Sequence, residues 1–527
     1  MRRDGFAVAA SKVLRRLRGR NTDKQYRQWI AECEPATQTA LPAKVDEFPS
    51  VSVLMPTYNT PERLLSEAIG SVLAQTYPKW QLCIADDAST AEHIRPLLRS
   101  FSENDGRIEA VFREANGNIS AASNSALGLV NGEFTALLDH DDLLSENALA
   151  EAAAAAFAEP GAAIIYSDHD VIDTEGRRYS PYFKPNWSPD LLHCVNYVNH
   201  LTVYRTALIK HLKFRSEFDG SQDYDLLLRA SEGLSRSDVV HIPKVLYHWR
   251  SVEGSVALAP SQKGYAHERA RAALDEHFER IGSDVRAIRG IGELHRMRAG
   301  SNVAAHVSVI CFDRESAAAV KGDVLEVIEA DPPQRIFAAL QAAAAKAAGD
   351  VLCFVPQNIS ALTLDAVEEL AAQALMPNVG VVGPLLVEGS GTIVEIGLTA
   401  GLNDGIGSQF AGENLRLSGF LEKNVVRNVS AVSIEAMTVR RGLFERLGGF
   451  DAGMSDEQRP DVDLSFRAML AGCNNVATPF AVVKAAGRTV GHSDLGVLKK
   501  RFAEIFYADP YFNVNLSKSP PFGPACR

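Results

Sequence analysis

The chain has 527 residues, a formal net charge of -11 at pH 7 and 46% hydrophobic residues. This length predicts roughly two to four domains. The acidic balance argues against general nucleic-acid binding, and the chain shows neither a secretory signal nor a run near the ~20 apolar residues that cross a bilayer. Its seven cysteines include no CxxC pair, which favours buried, reduced thiols over a zinc site or a disulfide framework.

Residues 1–48 are predicted to form a basic amphipathic helix followed by a linker. Residues 1–20 carry seven cations against one anion. Four apolar residues share one face of this helix: Phe6, Ala10, Val13 and Leu17. Such a helix can lie on an anionic membrane surface, and the alternative is a solvated, frayed terminus. The first interpretation predicts a cytoplasmic protein that contacts the inner face of the cytoplasmic membrane peripherally.

Strands and helices alternate from residue 49 onward. Residues 51–55 form a short apolar run that ends in turn-forming residues, residues 62–75 place apolar side chains at helical spacing, and the strand-like run 80–85 ends at Asp86 and Asp87. This order is typical of a doubly wound α/β sheet that binds a nucleotide at the carboxyl ends of its strands. The sequence has no glycine-rich phosphate loop of the dinucleotide or Walker type, so bound phosphates need another counter-charge.

An acidic cluster follows the strand-like run 134–138. It consists of Asp139, His140, Asp141 and Asp142. Carboxylates at such a place are costly unless a cation is close, and Mg²⁺ and Mn²⁺ use carboxylates to bridge to substrate phosphates. The alternative is a solvated turn before the helix near Ser145. The cluster predicts a divalent metal, Mn²⁺ or Mg²⁺, that binds a diphosphate.

Five ordered motifs resemble those of family 2 glycosyltransferases with the GT-A fold. They are PTYN (56–59), ADDAST (85–90), LLDHDD (137–142), GSQDYDLLLR (220–229) and LYHWR (246–250). Segments 166–168, 184–187 and 509–517 are similar to a bacterial subgroup of rhamnosyl or O-antigen transferases. The resemblance implies an α/β, GT-A nucleotide-sugar-binding catalytic domain over residues 49–298. It also implies transfer from a nucleotide-diphosphate sugar to a hydroxyl of a growing, lipid-linked bacterial surface glycan, as in lipopolysaccharide biosynthesis.

The resemblance assigns roles to residues of the predicted metal and donor site. Asp141 is the first choice for a metal ligand, Asp139 contacts ribose or metal, and Asp142 either ligates or orients the acceptor. His248 is similar to a third metal or diphosphate contact in some GT-A enzymes, with a hydrogen-bonded surface histidine as the alternative. Asp86 is expected to bind the nucleotide base. The other predicted donor-binding residues are Pro56, Tyr58, Asn59, Asp87, Arg113 and Asn124.

Asp223 is the predicted catalytic base. The acceptor hydroxyl must lose a proton as it attacks the anomeric carbon, and a nearby carboxylate can take it. In related enzymes the acidic residue that follows Glu or Gln in this motif is the base, which carries over to Asp223. Asp225 is the competitor, although at a helix start it would point elsewhere and could cap the helix. A single base opposite the leaving group implies inversion at the anomeric carbon.

Residues 299–499 are predicted to form a degenerate, non-catalytic GT-A-like domain. Residues 349–355 repeat the pattern of residues 132–138, but Pro, Gln, Asn and Ile at 356–359 replace the acidic cluster. Asp461 echoes Asp223 and is assigned to a helix N-cap. The domain is expected to be structural or to bind acceptor, with a bifunctional enzyme as the alternative. Residues 500–527 are predicted to be a C-terminal strap.

Other functional classes fit the sequence less well. A nucleotidyltransferase also uses an acidic metal site, but typically begins with a glycine-rich basic loop, unlike PTYN. A non-catalytic nucleotide-sugar-binding module suits the second half better than the first, and a scaffold would not need so many carboxylates at strand ends. The subgroup similarity favours dTDP-rhamnose as donor, with UDP- and GDP-sugars as alternatives. The acceptor, the linkage and the oligomeric state stay open.

Overall fold

The computed structural model of the chain describes residues 23–37, 45–251, 264–291, 294–298, 306–312, 320, 324–331, 335–356, 359–389, 391–415, 423–485, 493–520 and 522–526. The predicted basic helix over residues 1–20 lies outside the described residues, as do positions 357 and 358 of the second predicted crevice. Among the described helices, none combines the length and the apolar character that a bilayer span requires.

The first half folds around a mixed sheet with nine strands in the described residues. In chain order they are β1 (Val51–Thr57), β2 (Trp80–Asp86), β3 (Ile108–Phe112), β4 (Phe134–Leu137), β5 (Leu143–Leu144), β6 (Ile164–Ile172), β7 (Arg178–Tyr182), β8 (Thr202–Arg205) and β9 (Val239–Arg250). Their spatial order is β3-β2-β1-β4-β8-β6-β9-β5, with β7 beside β6. All seven positions of β1 and of β2 are buried, as is usual for parallel strands covered on both faces.

Helices cover this sheet. They are α1 (Glu62–Leu73), α2 (Ile94–Asn104), α3 (Asn118–Leu127), α4 (Ala148–Ala158), α5 (Pro189–Leu192), α6 (Thr206–Leu212), α7 (Gln222–Ser231) and α8 (Gly264–Arg280). Helix α1 buries Leu65, Ala68, Ile69 and Val72, which follow the spacing of one helical face. The predicted helix over 62–75 is therefore confirmed, two residues shorter than expected at its end. The α/β class is confirmed as well.

The second half contains another nine-stranded mixed sheet within the described residues. A ribbon of β10 (Arg286–Arg289) and β11 (His295–Arg298) precedes it. The remaining strands are β12 (Val307–Cys311), β13 (Glu326–Glu329), β14 (Val351–Val355), β15 (Ile359–Ala361), β16 (Val379–Val387), β17 (Ile393–Ile396), β18 (Thr399–Ala400), β19 (Ile406–Gly407), β20 (Arg427–Asn428), β21 (Met437–Arg440) and β22 (Asn474–Ala485). Strands β18 and β19 pair separately, and the large sheet has the order β13-β12-β14-β21-β16-β22-β15.

Eight of the nine strands in each large sheet have a counterpart in the other, and only β3 of the first sheet and β20 of the second have none within the described residues. Replacing β2, β1, β4, β8, β6, β9 and β5 by β13, β12, β14, β21, β16, β22 and β15 converts one spatial order into the other, and β17 lies beside β16 as β7 lies beside β6. Pair directions agree too: β12 is parallel to β13 and β14, as β1 is to β2 and β4. Both β4–β8 and β14–β21 are antiparallel. The predicted resemblance between the two halves is therefore confirmed in strand order.

Helices of the second half follow the same plan. They are α9 (Ile336–Ala344), α10 (Leu364–Leu375), α11 (Arg441–Arg446), α12 (Pro460–Leu470), α13 (Gly496–Arg501) and α14 (Ala503–Tyr507). Helix α12 precedes β22 as α7 precedes β9, so the segment that echoes Asp223 begins a helix in both halves. Short 3₁₀ turns add Val45–Glu47, Ser216–Phe218, Arg236–Asp238, Leu402–Asp404 and Asp456–Gln458.

The two ends of the described chain meet behind the first sheet. Residues 23–32 and Glu34–Thr37 are helical, and Trp29 packs on Phe183 with ring centroids 5.2 Å apart. Cys33 and Cys526 form a disulfide with their Cα atoms 5.1 Å apart. The prediction of free thiols is therefore wrong for this pair, because sequence spacing does not show that the chain returns across 493 positions. The prediction is confirmed for five buried free cysteines: Cys83, Cys194, Cys311, Cys353 and Cys473.

Candidate functional site

A cavity of about 1070 Å³ opens beside the carboxyl ends of β1 and β4. Four of the predicted site residues line it: Pro56, Asp139, Asp141 and Asp223. The same cavity is lined by Asn196, Asn199 and His200, from the loop before β8, and by Trp249 of β9. The structure therefore brings the predicted acidic cluster and the predicted base, which are more than 80 residues apart in sequence, into one space.

Asp223 lies in the first turn of α7, where its carboxylate is held by two asparagines. Asn199 Nδ2 donates to Asp223 Oδ2 over 2.8 Å, and Asn196 Nδ2 donates to the same oxygen over 3.1 Å. Burial raises the pKa of Asp223, and backbone amides at the helix start together with Asn196 oppose part of that rise. A carboxylate with a raised pKa that is oriented by neutral donors suits proton abstraction.

Asp225, the competing base, is occupied by two arginines. Arg229 donates from Nε and Nη2 to Asp225 Oδ2 over 3.0 and 2.7 Å, and Arg215 binds both carboxylate oxygens from the other side. Arg229 also donates to the carbonyls of Leu212 and Lys213, at the end of α6. The fully buried Asp225 therefore holds Arg229, and Arg229 links α7 to the end of α6. Asp223 is the carboxylate of this motif that lines the cavity.

Three residues could hold a metal ion: Asp139, Asp142 and His200. One possible ligand atom from each lies within 4.8 Å of the others. His200 Nε2 is 4.0 Å from Asp139 Oδ2, and the imidazole stacks on Tyr247 with ring centroids 4.6 Å apart. Burial and the nearby Lys184 ammonium lower the pKa of His200 to about 3, so the ring is neutral, as a metal ligand must be.

Asp142 is the buried member of this group. Tyr247 Oη donates to its Oδ2 over 2.6 Å, and the backbone N–H of Arg250 donates to its Oδ1 over 2.7 Å. Burial and the negative charges of Asp139 and Asp141 raise the pKa of Asp142 well above its usual range. A divalent cation would relieve this accumulation of negative charge. Two carboxylates and one neutral imidazole therefore fit Mn²⁺ or Mg²⁺, with water and substrate oxygens completing the coordination.

Asp141 lines the cavity but lies outside this group of three. Its Oδ1 is 3.8 Å from His140 Nδ1, and burial lowers the pKa of that histidine. The sequence made Asp141 the first choice for coordination, whereas the geometry favours Asp142 together with Asp139. The physical reason is that β5 pairs with β9 immediately after Asp142, which turns this side chain inward under Tyr247.

His248 has a different partner from the predicted metal. Its Nδ1 lies 2.6 Å from Asp170 Oδ1, and Asp170 also accepts hydrogen bonds from Tyr26 and Arg178. Within the described residues, His200 rather than His248 joins the carboxylates in the metal-capable group. The contact of His248 with metal or diphosphate stays a prediction, and its Nδ1 is held by Asp170 of β6. Arg250, two residues later on the same strand, ion-pairs with Glu67.

The loop after β1 is braced against the loop after β2. Asn59 Oδ1 accepts hydrogen bonds from the backbone N–H groups of Thr90 and Ala91 over 2.8 and 3.0 Å. Asp86 is buried and accepts from the Ser89 N–H over 3.2 Å, while the side chain of Tyr58 is exposed. These contacts shape the loops at the edge where a nucleotide base is predicted to bind.

Asp87, Arg113 and Asn124 form internal contacts beside that edge. Arg113 Nε donates to Asp87 Oδ1 over 2.7 Å, and the N–H of Gly117 at the start of α3 donates to the same carboxylate. Asp87 therefore supports the loop. Asn124 binds Phe214 with both ends of its amide: its Nδ2 donates to the Phe214 carbonyl and its Oδ1 accepts from the Phe214 N–H. Its contact with the nucleotide stays a prediction.

Comparison with known families identifies the segment that contains this site. Residues 52–230 match the family model described as Glycosyl transferase family 2. The match includes the acidic cluster, the cavity loop before β8 and the Asp223 helix. Residues 52–230 form a family 2 glycosyltransferase domain.

Two relatives align with this chain over most of its length. The protein y4gI of Sinorhizobium fredii is 34% identical over 90% of this chain and 58% of its own length. The O-antigen biosynthesis protein RfbC of Myxococcus xanthus is 31% identical over 93% of this chain and 42% of its own length. The chain thus spans about half the length of these relatives.

Solved structures similar to the glycosyltransferase domain include S. aureus TarS, at 21% identity and a TM-score of 0.33 over 44% of this chain and 72% of that chain. Another is the mannosyltransferase PcManGT from Pyrobaculum calidifontis in complex with GDP-Man and Mn²⁺. It shows 18% identity and a TM-score of 0.33 over 52% of this chain and 74% of that chain.

Sequence reasoning missed the loop before β8 of the glycosyltransferase domain. Asn196 and Asn199 contact Asp223, and His200 belongs to the metal-capable group. Asn199 Nδ2 lies 2.9 Å from His200 Nε2 as well as 2.8 Å from Asp223, so one amide links the two parts of the site. The available signal was three polar side chains within five residues directly before an apolar strand.

The corresponding crevice of the second half holds an internal ion pair. Asp461 accepts from Arg459 Nη2 over 2.8 Å and from the Ile434 N–H over 3.1 Å. Helix α12 begins at Pro460 after Arg459, and its start has no side-chain cap bond, so the N-cap assignment of Asp461 is wrong. Glu435 takes the position of His200. His200 lies five residues before Arg205, which pairs with the start of β4, and Glu435 lies five residues before Arg440, which pairs with the start of β14.

Burial and Glu435 raise the pKa of a second carboxyl group in this crevice, that of Glu395, to about 7. Arg459 is the cation close to this acidic group. Although burial opposes its charge, Asp461, Glu395 and Glu435 together raise the pKa of its guanidinium. A side chain of the protein therefore supplies positive charge at the place that corresponds to the catalytic crevice.

Proposed function

We propose that the chain transfers a sugar from a nucleoside diphosphate donor to a hydroxyl group with inversion at the anomeric carbon, and that the reaction needs a divalent metal. The observation that carries this proposal is the Asp223 carboxylate, oriented by Asn196 and Asn199 in the cavity that Asp139 and Asp141 also line. Base and acidic cluster share one cavity, which supports transfer over simple nucleotide binding.

Each residue has a defined task in this mechanism. Asp139, Asp142 and His200 would hold the metal, with Asp141 as a further carboxylate within the cavity. The ion, when bound, supplies Lewis-acid stabilisation of the charge on the leaving diphosphate. Asp223 Oδ1 accepts the proton of the acceptor hydroxyl, while the two asparagine amides keep Oδ2 in place. Because one carboxylate acts on one hydroxyl from one side, the proposal is a single displacement.

The donor is proposed to enter along the loops after β1 and β2. Pro56 lines the cavity, and the Asn59 and Asp86 contacts fix the neighbouring loops. Tyr58 remains a proposed contact for the base because its side chain is exposed at the end of β1. The choice among dTDP-, UDP- and GDP-sugars is left to measurement.

We infer that the acceptor is a growing bacterial surface polysaccharide carried on a lipid. The name of the Myxococcus xanthus relative, O-antigen biosynthesis protein RfbC, supports this class of product. A cytoplasmic location with peripheral membrane contact through residues 1–20 follows from the same proposal, because a lipid-linked acceptor lies at the membrane.

The second domain, proposed at residues 299–499 beside a catalytic domain at 49–298, is inferred to be non-catalytic. Its crevice carries the Arg459–Asp461 ion pair, whereas the crevice of the first domain carries a carboxylate held by neutral amides. In addition, a proline follows strand β14, whereas Asp139 follows the equivalent run that ends at Leu138. The Arg459 guanidinium is bound to Asp461, the residue that corresponds to Asp223. Its positive charge opposes both metal binding and proton abstraction in the second crevice.

The test is release of nucleoside diphosphate from a panel of dTDP-, UDP- and GDP-sugars, with Mn²⁺ and with EDTA. Asp223→Asn should reduce turnover about 10²-fold or more with donor affinity nearly unchanged. Glu217→Gln is the matched control, since Glu217 is an exposed carboxylate close to Asp223 in sequence. Full activity in EDTA would exclude the metal, and full activity of Asp223→Asn would exclude the base.

A further inference from the structure

We propose that Lys184 and Asn513 are positioning residues for the cavity loop 196–200, and that the C-terminal segment 509–515 acts through Asn513 alone on the alignment of base and metal site. This inference rests on the proposed function, because it concerns the residues assigned there to the base and the metal. It adds a role for a segment that lies almost 300 residues after Asp223 and outside the matched family segment.

Lys184 is fully buried directly under the cavity loop. Its Nζ donates to the carbonyl of Val198 over 2.8 Å and to the carbonyl of His200 over 2.7 Å. Burial lowers the pKa of Lys184 to about 7, with Asp168 opposing part of the shift. A buried amine, charged or neutral, is costly unless hydrogen bonds of good geometry satisfy it. These two bonds fix the backbone between Asn199 and His200, the residues that reach Asp223 and Asp139.

Asp168 and Asn513 hold Lys184 in turn. The backbone N–H of Lys184 donates to Asp168 Oδ1 over 2.8 Å, and His241 Nε2 lies 2.8 Å from the same oxygen. Asn513 Nδ2 donates to Asp168 Oδ2 over 2.9 Å and to the carbonyl of Lys184 over 2.8 Å. Asp168 and Asn513 are both buried, so a single connected polar network runs from the C-terminal segment to the cavity loop.

The C-terminal segment is itself attached to both domains. Asp509 Oδ2 accepts from the Ala400 N–H of the second domain over 2.7 Å. The carbonyl of Pro510 accepts from the Asn186 N–H of the first domain over 2.9 Å. The second domain therefore provides the fixed support from which Asn513 reaches the catalytic domain.

The functional consequence follows from how sharply catalysis depends on geometry. Loss of Lys184 or Asn513 should let the loop 196–200 move, which displaces the amides that orient Asp223 and the imidazole of His200. A displacement of about 1 Å at a reacting group costs up to about 10²-fold in rate. Partners behind a metal ligand typically contribute about 10- to 100-fold in metal affinity.

Two variants test the network, with a matched control from the same segment. Lys184→Met keeps the length of the side chain and removes the donors, and Asn513→Ala removes the amide. The control is Asn515→Ala, because Asn515 is similarly buried in the same segment but donates to the carbonyl of Pro243. The readouts are kcat and donor KM, plus Mn²⁺ affinity by calorimetry with and without nucleoside diphosphate.

Lys184→Met and Asn513→Ala are expected to lower kcat at least about 10-fold with donor KM within about two-fold of wild type, and to weaken Mn²⁺ binding about 10-fold. Asn515→Ala should match the wild type in both. If the two variants behave like Asn515→Ala while Asp223→Asn is inactive, the positioning role is wrong and the proposed function stands. If Asp223→Asn is active and the wild type binds no Mn²⁺, the proposed function itself fails.

Discussion

Asp223 combines burial with hydrogen-bond donors that favour its charged form. Burial raises its pKa above the ordinary value of 3.8, while the helix start and Asn196 lower it. The net effect places the proton affinity of the base above that of an exposed aspartate. A base of raised proton affinity takes a proton from a hydroxyl more readily, provided that the pH keeps the carboxylate ionised.

The pH dependence of turnover should report this balance. Activity requires ionised Asp223, so kcat should fall as the pH drops through its raised pKa and reach its plateau above it. Asn196→Ala removes a bond that favours the carboxylate, so the acidic limb should move to higher pH. Profiles of kcat under donor and acceptor saturation measure the shift. An acidic limb that is the same in Asn196→Ala and in wild type would show that Asp223 does not titrate in this range.

The proposed metal site contains His200, whereas the sequence predicted His248. His200→Ala should weaken Mn²⁺ binding at least about 10-fold, since the imidazole belongs to the metal-capable group. His248→Ala should weaken it less, because His248 Nδ1 is bound to Asp170. Direct titration with Mn²⁺ compares the two variants. A larger loss in His248→Ala than in His200→Ala would restore the original assignment.

At the scale of elements, the helices α7 and α12 share one internal device. Asp225 pairs with Arg229, and Asp463 pairs with Arg467, one helical turn apart in both cases. Arg229 also donates to carbonyls at the end of α6, and Arg467 donates to carbonyls just after α11. Asp225 and Asp463 are therefore architectural in both halves. The carboxylates two residues earlier differ in their partners, since Asp223 is held by asparagine amides and Asp461 by Arg459.

Asp461→Asn should reduce stability without changing turnover. Asparagine can still accept from the Ile434 N–H, but it leaves the buried Arg459 without its bound carboxylate. The loss of a hydrogen bond to a charged group predicts about 1.5–3 kcal/mol lower free energy of unfolding. Chemical denaturation measures this loss, and kcat of the folded variant should equal that of wild type. A strong reduction of kcat with unchanged stability would mean that the second half takes part in the chemistry.

Local patterns in the sequence were sufficient for the elements that precede the site. The apolar run before Asp86 and the helical spacing after Pro61 predicted β2 and α1 almost to their ends. The acidic cluster was found because carboxylates at a strand end are locally unusual. His200 was not found, because its place depends on β8 returning antiparallel to β4, and Asp461 was misassigned because its partner Arg459 acts through tertiary packing.

For the whole molecule, the N-terminal and C-terminal segments outside the two sheets both contact the first sheet. The N-terminal helical residues reach Asp170 through Tyr26, and the C-terminal segment reaches Asp168 through Asn513. Both aspartates lie on β6, the strand beside the cavity loop's own β8. Contacts from the two ends of the described chain therefore converge on the single strand β6.

Membrane association is predicted to depend on residues 1–20. Their cationic side chains should bind anionic lipids through an interaction that salt screens. Deleting residues 1–20 should release the protein from liposomes that contain anionic lipid, and raised ionic strength should release the intact chain. Co-sedimentation measures both effects, with neutral liposomes as the control. Binding that survives the deletion and high salt would assign membrane contact to another surface.

The shared strand order of the two sheets allows mutational tolerance to be compared at equivalent positions within one molecule. Saturation mutagenesis under selection for activity should treat Asp225 and Asp463 alike, since both secure a helix to its neighbour. The two crevices should diverge: Asp223 should accept no substitution, whereas Asp461 should accept any that retains folding. Selection for chemistry and selection for folding can thus be separated within one polypeptide, at equivalent positions and in the same experiment.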